Sequence, residues 1–298
     1  MATVIETDRL TKRYGSARGI EDLTLAVQRG DVFGFLGPNG AGKTTTIRTL
    51  LDLLHPTSGS ARVFGLDSHR DSRAIRARLG NLPGEFAYDE RMTGRELLAL
   101  FATLRGVDRL DRAHALTERF EANLDRPLRE LSRGNRQKIG LIQALFHDPE
   151  LLVLDEPTTG LDPLMQEEFL AVVAEHRDRG ATGFLSSHDL YEVERICDRV
   201  GIIRAGRLIA VEDVQEMRGR ASRNVTVRFG HPVSPGEFAG VTGIQDVTAD
   251  ATTLRFRVQG DLDSMIKAIA VHHVVDLEVT RPTLEELFLT YYGHEGTS

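Results

Sequence analysis

The chain has 298 residues, 41% of them hydrophobic, and a formal net charge of −7. This length can hold one large domain and a smaller one, and the hydrophobic content excludes a largely disordered chain. The negative charge argues against nucleic acid as a main partner, because proteins that bind phosphate backbones usually carry a surplus of basic residues.

Cys197 is the only cysteine, so no disulfide bond can form within the chain. This fits a reduced, intracellular location. Residues 1–14 lack the apolar core of a signal peptide, and no run of 18 apolar residues occurs. We therefore expect that the chain does not span a membrane, and that any span it works with belongs to another chain.

A glycine-rich loop lies between an apolar strand, Val32 to Leu36, and a helix-like segment over residues 46–54. The loop consists of Gly37, Pro38, Asn39, Gly40, Ala41, Gly42, Lys43, Thr44 and Thr45. The spacing G-x-x-x-x-G-K-T lets backbone N–H groups and the helix N-terminus hold nucleotide phosphates. We expect Lys43 to reach the β- and γ-phosphates and the Thr44 hydroxyl to bind Mg²⁺. A plain surface turn would not need this combination.

Tyr14, upstream of the loop, is as compatible with stacking on a base as with packing at the surface. Downstream, residues 59–65 and 79–85 predict short strands on either side of an arginine-rich helix, whose charges we interpret as solvated. The pattern then becomes helical, with a capping box at Thr93 and Glu96 and a second helix over residues 109–124.

Ser132 is placed as the N-cap of a further helix. Several basic residues surround this helix N-terminus, which favours anions, but taken alone they read as an ordinary solvated charge run. Because the block has no strand pattern, we interpret residues of about 85–149 as a helical subdomain inserted into an α/β domain.

An apolar run over residues 151–154 predicts a buried strand that ends in Asp155 and Glu156. Two adjacent charges at a strand end are costly unless they face a polar site. After a phosphate loop, such an Asp is a second Mg²⁺-site element, and the neighbouring Glu can polarise a water molecule. A later strand ends at His188, which alone fits a core as well as a site.

Alternating strands and helices up to about Leu208 predict a largely parallel sheet with helices packed on it. Residues 212–224 are the best linker candidate. A small C-terminal α+β domain, residues 225–298, follows. Its predicted elements are strands over 225–229, 254–258 and 274–279, a helix over 263–271, and a last helix with a capping box at Thr283 and Glu286. From Ala221 onward the chain has 6 basic and 10 acidic residues, which argues against nucleic-acid binding here.

Together these segments resemble the ATP-binding subunit of ABC transporters over about residues 4–211. Leu131-Ser-Arg-Gly-Asn135 is similar to the family's LSGGQ signature, Thr159 to Asp162 to its D-loop, and Ser186 to His188 to its switch histidine. Residues 82–85, the signature variant and the tail 281–288 look like the daunorubicin-type drug exporter branch. In that branch, the ATPase and the membrane permease are separate chains.

The resemblance implies an α/β phosphate-loop NTPase fold with an antiparallel N-terminal β part. It implies that two copies sandwich two ATP molecules, with Ser132, Gly134 and Asn135 of one copy facing the nucleotide of the other. The remaining implied roles are an adenine-stacking ring for Tyr14, Mg²⁺ ligands for Thr44 and Asp155, orientation of the attacking water for Glu156, a γ-phosphate contact for His188 and a D-loop position for Asp162.

Two departures from the family pattern stand out. Gly84 occupies the position of the Q-loop glutamine, and we hypothesise that the adjacent Glu85 takes its place beside Mg²⁺. Arg133 and Asn135 stand where the signature has Gly and Gln.

The resemblance implies an ATPase that uses ATP and Mg²⁺ to energise export of a drug, lipid or other hydrophobic compound. The expected partners are a separate permease and a second copy of the chain, at the cytoplasmic face of the membrane. The alternative is a soluble ABC-type ATPase acting on nucleic acid or ribosomes. An unrelated GTPase or small-molecule kinase is a remote third, since no guanine-reading Asn-Lys-x-Asp segment occurs.

Overall fold

The structure, a computed structural model, describes residues 2–15, 17–85, 88–220 and 222–280, without the side chains of residues 17–18 and 218–220. The chain divides into two compact units, Met1–Glu212 and Asp213–Ser298. Each unit buries its own apolar cluster. Among the helices of these described ranges, none has both the length and the apolar character needed to cross a bilayer.

The described part of the first unit contains two sheets. Their strands are β1 (Thr3–Tyr14), β2 (Ala17–Gln28), β3 (Val32–Leu36), β4 (Ser58–Val63), β5 (Leu66–Asp67), β6 (Leu79–Leu82), β7 (Leu151–Asp155), β8 (Thr182–Ser187), β9 (Arg199–Arg204) and β10 (Arg207–Asp213). One sheet is antiparallel, in the order β2-β1-β4-β5, and the other has the order β10-β9-β3-β8-β7-β6.

The six-stranded sheet sets up the site. Strand β3 runs parallel to β8 and β9, and β7 runs parallel to β6 and β8. In register, Leu36 lies beside Ser187 and Asp155 beside Ser186, so the carboxyl ends of three neighbouring strands meet at one edge. Ligands of open α/β sheets bind at this edge.

The described helices are α1 (Lys43–Leu50), α2 (Ser72–Arg78), α3 (Gly94–Arg105), α4 (Asp111–Arg119), α5 (Arg133–Leu145), α6 (Pro163–Asp178), α7 (Leu190–Ile196), α8 (Val214–Arg220) and α9 (Asp263–Ile269). Helices α1 to α7 lie in the first unit and connect its strands, whereas α8 and α9 belong to the second unit. Helix α1 contacts β2, β4 and β7, and its Ile47 and Leu50 are buried in the same core as Phe35 and Phe184. The helix that starts at the glycine-rich loop is therefore anchored to both sheets.

The predicted helical block is present as α3, α4 and α5, with α5 packed on the other two and on β6. The capping box is confirmed, because Thr93 Oγ1 accepts from Glu96 N at 3.2 Å and the Glu96 carboxylate accepts from Thr93 N at 2.8 Å. The N-cap role of Ser132 is also confirmed. The predicted helix over 109–124 is shorter, since α4 ends at Arg119.

The second unit contains a four-stranded antiparallel sheet in the order β12-β13-β11-β14. Its strands are β11 (Arg223–Phe229), β12 (Ile244–Asp250), β13 (Thr253–Val258) and β14 (Val274–Thr280). Val225, Val227 and Phe229 alternate inward and pack with Leu254 and Phe256. This alternation is the period-two pattern of a sheet with one buried face.

The predicted fold class, an α/β phosphate-loop NTPase with added antiparallel parts, is confirmed. Three details differ from the sequence-based expectation. The predicted linker, residues 212–224, contains helix α8. Strand β12 was not predicted, because its sequence has no clear alternation of apolar and polar residues. The helix predicted over 263–271 ends at Ile269. The capping box at Thr283 and Glu286 and the tail motif 281–288 lie outside the described residues.

Candidate nucleotide-binding site

Lys43, near the end of the glycine-rich loop, forms a hydrogen bond with the first residue of the loop, Gly37. The Lys43 ammonium group donates to the carbonyl oxygen of Gly37 at 2.6 Å, and the side chain is only 6% exposed. Gly42, the N-cap of α1, has φ 111°, a left-handed conformation that L side chains rarely adopt. A Cβ at Gly42 would also lie 2.9 Å from Ile20 Cγ2, so glycine is required there. These residues hold a cation beside a helix N-terminus, the arrangement that binds phosphate.

Asp155 and Glu156 diverge at the end of β7. Asp155 is buried, at 1% exposure, and accepts a hydrogen bond from the Ser186 hydroxyl on the neighbouring strand β8. The backbone of Glu156 turns to φ 52°, and its N–H donates to Ser186 O at 3.1 Å. This positive φ directs the two adjacent carboxylates to different places, which resolves the cost of two charges at a strand end.

Glu156 links the loop lysine to the predicted switch histidine. One carboxylate oxygen lies 3.1 Å from Lys43 Nζ, and the other lies 2.5 Å from His188 Nδ1. The Glu156 side chain is 22% exposed and that of His188 is 56% exposed. Three predicted catalytic residues therefore form one continuous polar network that solvent and substrate can reach.

These residues surround a cavity of about 760 Å³. Its lining includes Gly19, Pro38, Asn39, Gly40, Ala41, Gly42, Lys43, Thr44, Thr45, Gly84, Glu85, Arg133, Arg136, Gln137, Glu156, Thr159 and His188. The volume falls within the range of small-molecule and cofactor sites. Loop, carboxylate and histidine thus converge on a space suited to a nucleotide.

The site residues also suit a magnesium ion, which prefers oxygen ligands. The Thr44 hydroxyl belongs to a residue that lines the cavity, and the buried Asp155 carboxylate is a hard oxygen donor at the adjacent strand end. Asp155 has the Ser186 hydroxyl as its hydrogen-bond partner on one oxygen. Its other oxygen, Oδ2, lies close to Gly84, where an added Cβ would be only 2.9 Å away.

Comparison with known proteins points in the same direction. The profile described as "ABC transporter" matches residues 20–159. The bacitracin transport ATP-binding protein BcrA of Bacillus licheniformis is 40% identical, over 70% of this chain and 69% of that protein. The daunorubicin resistance ATP-binding protein DrrA3 of Streptomyces coeruleorubidus is 37% identical, over 98% of this chain and 97% of that protein.

The chain belongs to the ATP-binding proteins of ABC transporters. A solved ATP-binding subunit of an ABC transporter has a TM-score of 0.67 and 31% identity, covering 72% of this chain and 92% of that one. A dimeric bacterial ABC transporter cassette has a TM-score of 0.65 at 21% identity, covering 70% and 98%, and supports the fold alone. The similarity of this chain to daunorubicin resistance ATP-binding proteins extends over 97–98% of its length, which supports the drug-exporter branch.

Gly84, at the Q-loop position of this ABC protein, has little room for a side chain. A Cβ at Gly84 would lie 2.9 Å from Asp155 Oδ2, so the glycine backbone takes up the space beside that carboxylate. The Glu85 side chain is 89% exposed and lies 4.0 Å from an Arg48 nitrogen. Glu85 lines the cavity, but its side chain is mostly exposed to solvent, and its substitution for the family glutamine stays a prediction.

Within the signature, Arg133 lines the chain's own cavity, whereas the residues expected to face an opposite subunit do not. Among the described residues, Ser132, Gly134, Asn135 and Asp162 are not in the cavity lining. The Asn135 side chain accepts from Asn123 N at 2.8 Å and donates to Asn123 O at 2.9 Å. The amide that replaces the family glutamine is thus engaged within the same chain, where it fastens the start of α5.

The D-loop rests on the signature helix. A Cβ at Gly134 would lie 2.6 Å from the carbonyl oxygen of Gly160, so the two backbones touch. Asp162 is the N-cap of α6 and accepts from Met165 N at 3.1 Å. The expected contacts of Ser132, Gly134 and Asp162 with an opposite subunit stay predictions.

Tyr14 lies at the rim of the site. Its hydroxyl is 3.5 Å from Thr45 Oγ1, and its ring packs against Gly19, which lines the cavity. The ring is 45% exposed, and the Lys12 ammonium lies 5.6 Å from its centroid. An exposed ring next to the phosphate loop is compatible with stacking on a base.

Two residues, Gln137 and Ser186, have a positioning role that the sequence alone did not reveal. Gln137 Nε2 donates to Glu156 O at 3.3 Å and to Pro157 O at 2.7 Å, which holds the strained turn at Glu156. Ser186 ties Asp155 to β8. Gln137 lies on the same face of α5 as the buried residues Gly140 and Leu141. A polar residue on a buried helix face was the one sign in the sequence that Gln137 has a partly buried hydrogen-bond partner. Arg133 and Arg136, interpreted as solvated, line the cavity.

Proposed function

We propose that this ABC protein hydrolyses ATP and uses the free energy released to export a hydrophobic compound through a separate membrane permease. The observation that carries the proposal is the network of Lys43, Glu156 and His188 at the mouth of the phosphate loop. The relatives named for daunorubicin resistance and bacitracin transport support the export role and the kind of cargo. Family membership supports ATP as the nucleotide.

In the proposed reaction, Lys43 and the backbone N–H groups of the loop bind the β- and γ-phosphates. A γ-phosphate competes with Glu156 for the Lys43 ammonium, which frees that carboxylate to accept a proton from the attacking water. His188, hydrogen-bonded to Glu156, would orient the carboxylate and, from its place in the cavity lining, contact the γ-phosphate. Catalysis then depends on positioning and on neutralising charge.

Thr44 and Asp155 would hold Mg²⁺, which when bound neutralises charge on the phosphate oxygens. The Ser186 hydrogen bond fixes Asp155 for this purpose. Outer-shell partners of this kind keep ligands oriented and are costly to remove.

The proposed active form is a homodimer in which Ser132, Gly134 and Asn135 of one copy face the ATP bound by the other. The location of these residues outside the chain's own cavity supports this reading. For Asn135 the contribution is limited to the backbone, because its amide already bonds Asn123. The dimer would associate peripherally with the cytoplasmic face of the membrane through the permease.

Two variants test the catalytic part. Lys43→Ala removes the phosphate-binding cation and is expected to abolish ATP binding. Glu156→Gln keeps the phosphate contacts but removes the base, so we expect ATP binding, a drop in turnover of at least about 100-fold and a dimer by gel filtration with ATP. Full activity of Glu156→Gln would refute the assigned role.

A second experiment separates export from the alternative of an ATPase acting on nucleic acid or ribosomes. Membranes from cells that express the tagged chain are floated on a density gradient, and a parallel extract is tested for co-purifying nucleic acid and ribosomes. We expect the chain to float with a partner that has several apolar spans of about 20 residues each. Recovery with ribosomes or nucleic acid instead would favour the alternative.

A further inference from the structure

A second cluster of metal-binding side chains lies outside the nucleotide cavity. Asp52 and His55 belong to the turn after α1, and His69 belongs to the turn after β5. One ligand atom from each of the three residues lies within 4.8 Å of the other two. None of the three lines the cavity of about 760 Å³ within the described part of the chain.

The two imidazoles converge on one carboxylate oxygen. Asp52 Oδ1 lies 2.7 Å from His69 Nδ1 and 3.3 Å from His55 Nδ1. The two rings meet edge to face, with centroids 4.6 Å apart. Two imidazole nitrogens and a carboxylate oxygen form a donor set that suits zinc and its neighbours among the transition metals better than magnesium or calcium.

The distances leave room for an ion after a small adjustment. Tetrahedral zinc holds nitrogen and oxygen ligands at about 2.0–2.2 Å, which separates neighbouring donor atoms by about 3.3 Å. The His55–Asp52 separation already has this value. The His69 ring needs to retreat by about half an ångström, and its side chain is 62% exposed and free to do so.

The local backbone fixes each of the three residues. Asp52 has a left-handed φ of 57°, and its N–H donates to Thr49 O at the end of α1. His55 precedes Pro56, which restricts its backbone to extended conformations. The N–H of His69 donates to Asp67 Oδ1 at 3.0 Å. A pre-arranged set of ligands loses less conformational entropy when an ion binds.

The Asp52 carboxylate also has a hydrogen-bond partner outside the three proposed ligands. The Ser72 side chain forms a hydrogen bond with the Asp52 carboxylate. Ser72 in turn accepts from an Arg76 nitrogen at 3.2 Å. Asp52 therefore has an outer hydrogen-bond partner of the kind that orients metal ligands.

We propose that Asp52, His55 and His69 bind one divalent transition-metal ion of the zinc class, with water completing the coordination. The ion would link the C-terminal end of the phosphate-loop helix α1 to the turn between β5 and α2. It would thereby restrict the motion of the C-terminal end of α1, which is the end opposite Lys43. The site is separate from the magnesium site proposed for ATP hydrolysis.

The test is titration of the full chain with ZnCl₂ by isothermal calorimetry, in excess Mg²⁺ and without nucleotide. The variants are Asp52→Asn and His69→Ala, and the matched control is His114→Ala, which removes an exposed histidine of α4. Asn tolerates the left-handed φ at position 52, so the first variant is expected to fold. Thermal melting with and without zinc gives a second readout.

We expect one zinc ion per chain, a higher melting temperature with zinc, and the same behaviour in His114→Ala. Both site variants should weaken binding by at least about tenfold and lose the zinc-dependent shift in melting temperature. If wild type binds no zinc, the cluster is a hydrogen-bonded trio and the proposal is wrong. Undiminished binding in Asp52→Asn and His69→Ala would overturn it as well.

Discussion

One carboxylate oxygen of Asp155 accepts from the Ser186 hydroxyl, and the other lies where a side chain at position 84 would have to start. The family has a glutamine at this position, and here it is a glycine next to the proposed metal ligand. The space that a side chain would need at position 84 is taken by the carboxylate. Because glycine has no side chain, it cannot bind the ion itself, but it leaves the Asp155 carboxylate undisplaced.

Replacement of Gly84 tests this arrangement. In Gly84→Ala, the new methyl group would lie 2.9 Å from Asp155 Oδ2, so the carboxylate must move. We expect the Mg²⁺ concentration for half-maximal ATPase activity to rise about 10-fold or more, because displaced metal ligands or their supports weaken binding by about that much. ATPase assays over a Mg²⁺ series measure this.

The matched control is Gly240→Ala in the second unit, where no described residue beyond its chain neighbours has a heavy atom within 4 Å of the added Cβ. It should leave the Mg²⁺ dependence unchanged. An unaltered Mg²⁺ requirement in Gly84→Ala would show that the close contact with Asp155 has no role.

At the scale of single residues, the sequence predicted the members of the site but not how they contact one another. Side-chain type and position next to a predicted strand or loop were enough to identify the site residues Lys43, Asp155, Glu156 and His188. Gln137 was missed because its function is to hold two carbonyl oxygens of a turn, and only the folded backbone brings those oxygens to it.

Among the elements, the short helix α7 positions the switch histidine. Its Glu192 is 6% exposed and accepts from the Ser187 hydroxyl at 2.9 Å, directly before His188. Burial raises the pKa of Glu192 to about 7, against a usual value of 4.5. The hydrogen bond from Ser187 opposes this rise, and the charges of Asp189 and Glu156 add to it.

The raised pKa predicts a pH-dependent stability. Between pH 4.5 and about 7 the folded chain holds a proton on Glu192 that the unfolded chain has lost, so stability falls as pH rises through this window. The full loss is on the order of 3 kcal/mol. Glu192→Gln should remove this contribution, keep an acceptor for Ser187, and give a flatter pH dependence of the free energy of unfolding.

Urea unfolding between pH 5 and 8 provides the measurement. Glu118→Gln, which changes an exposed carboxylate of α4, is the control and should follow wild type. Parallel pH slopes in wild type and Glu192→Gln would contradict a raised pKa at Glu192.

Elements with strong local signals were predictable, and those defined by partners were not. The capping box at Thr93 and the apolar run before Asp155 are local, and both were found. Strand β12 has an irregular, mostly exposed pattern, and pairing with β13 makes it a strand. Helix α8 lies in a polar stretch that composition alone marks as a linker.

At the scale of the whole molecule, the two units have separate apolar clusters. Leu151 is fully buried in the cluster of the first unit, and Leu254 is 1% exposed in the cluster of the second. Because the core residues of each cluster come from one unit, we expect the two cores to unfold separately.

Two matched substitutions test this separation. Leu151→Ala and Leu254→Ala each create a cavity that costs about 2–5 kcal/mol. We expect calorimetry to show two transitions, with each variant lowering only its own. The dissociation constant for ATP should stay unchanged in Leu254→Ala. A single transition that both variants lower equally would mean that the units unfold together.

Helix α5 is fastened to the loop after β7 at two points. Gln137 bonds the carbonyls of Glu156 and Pro157, and the backbone of Gly134 touches Gly160 four residues further on. We therefore expect a displacement of the first turn of α5 to shift the backbone turn at Glu156, the proposed base. In the proposed dimer, a nucleotide that contacts the start of α5 would then influence the geometry of hydrolysis in the same chain.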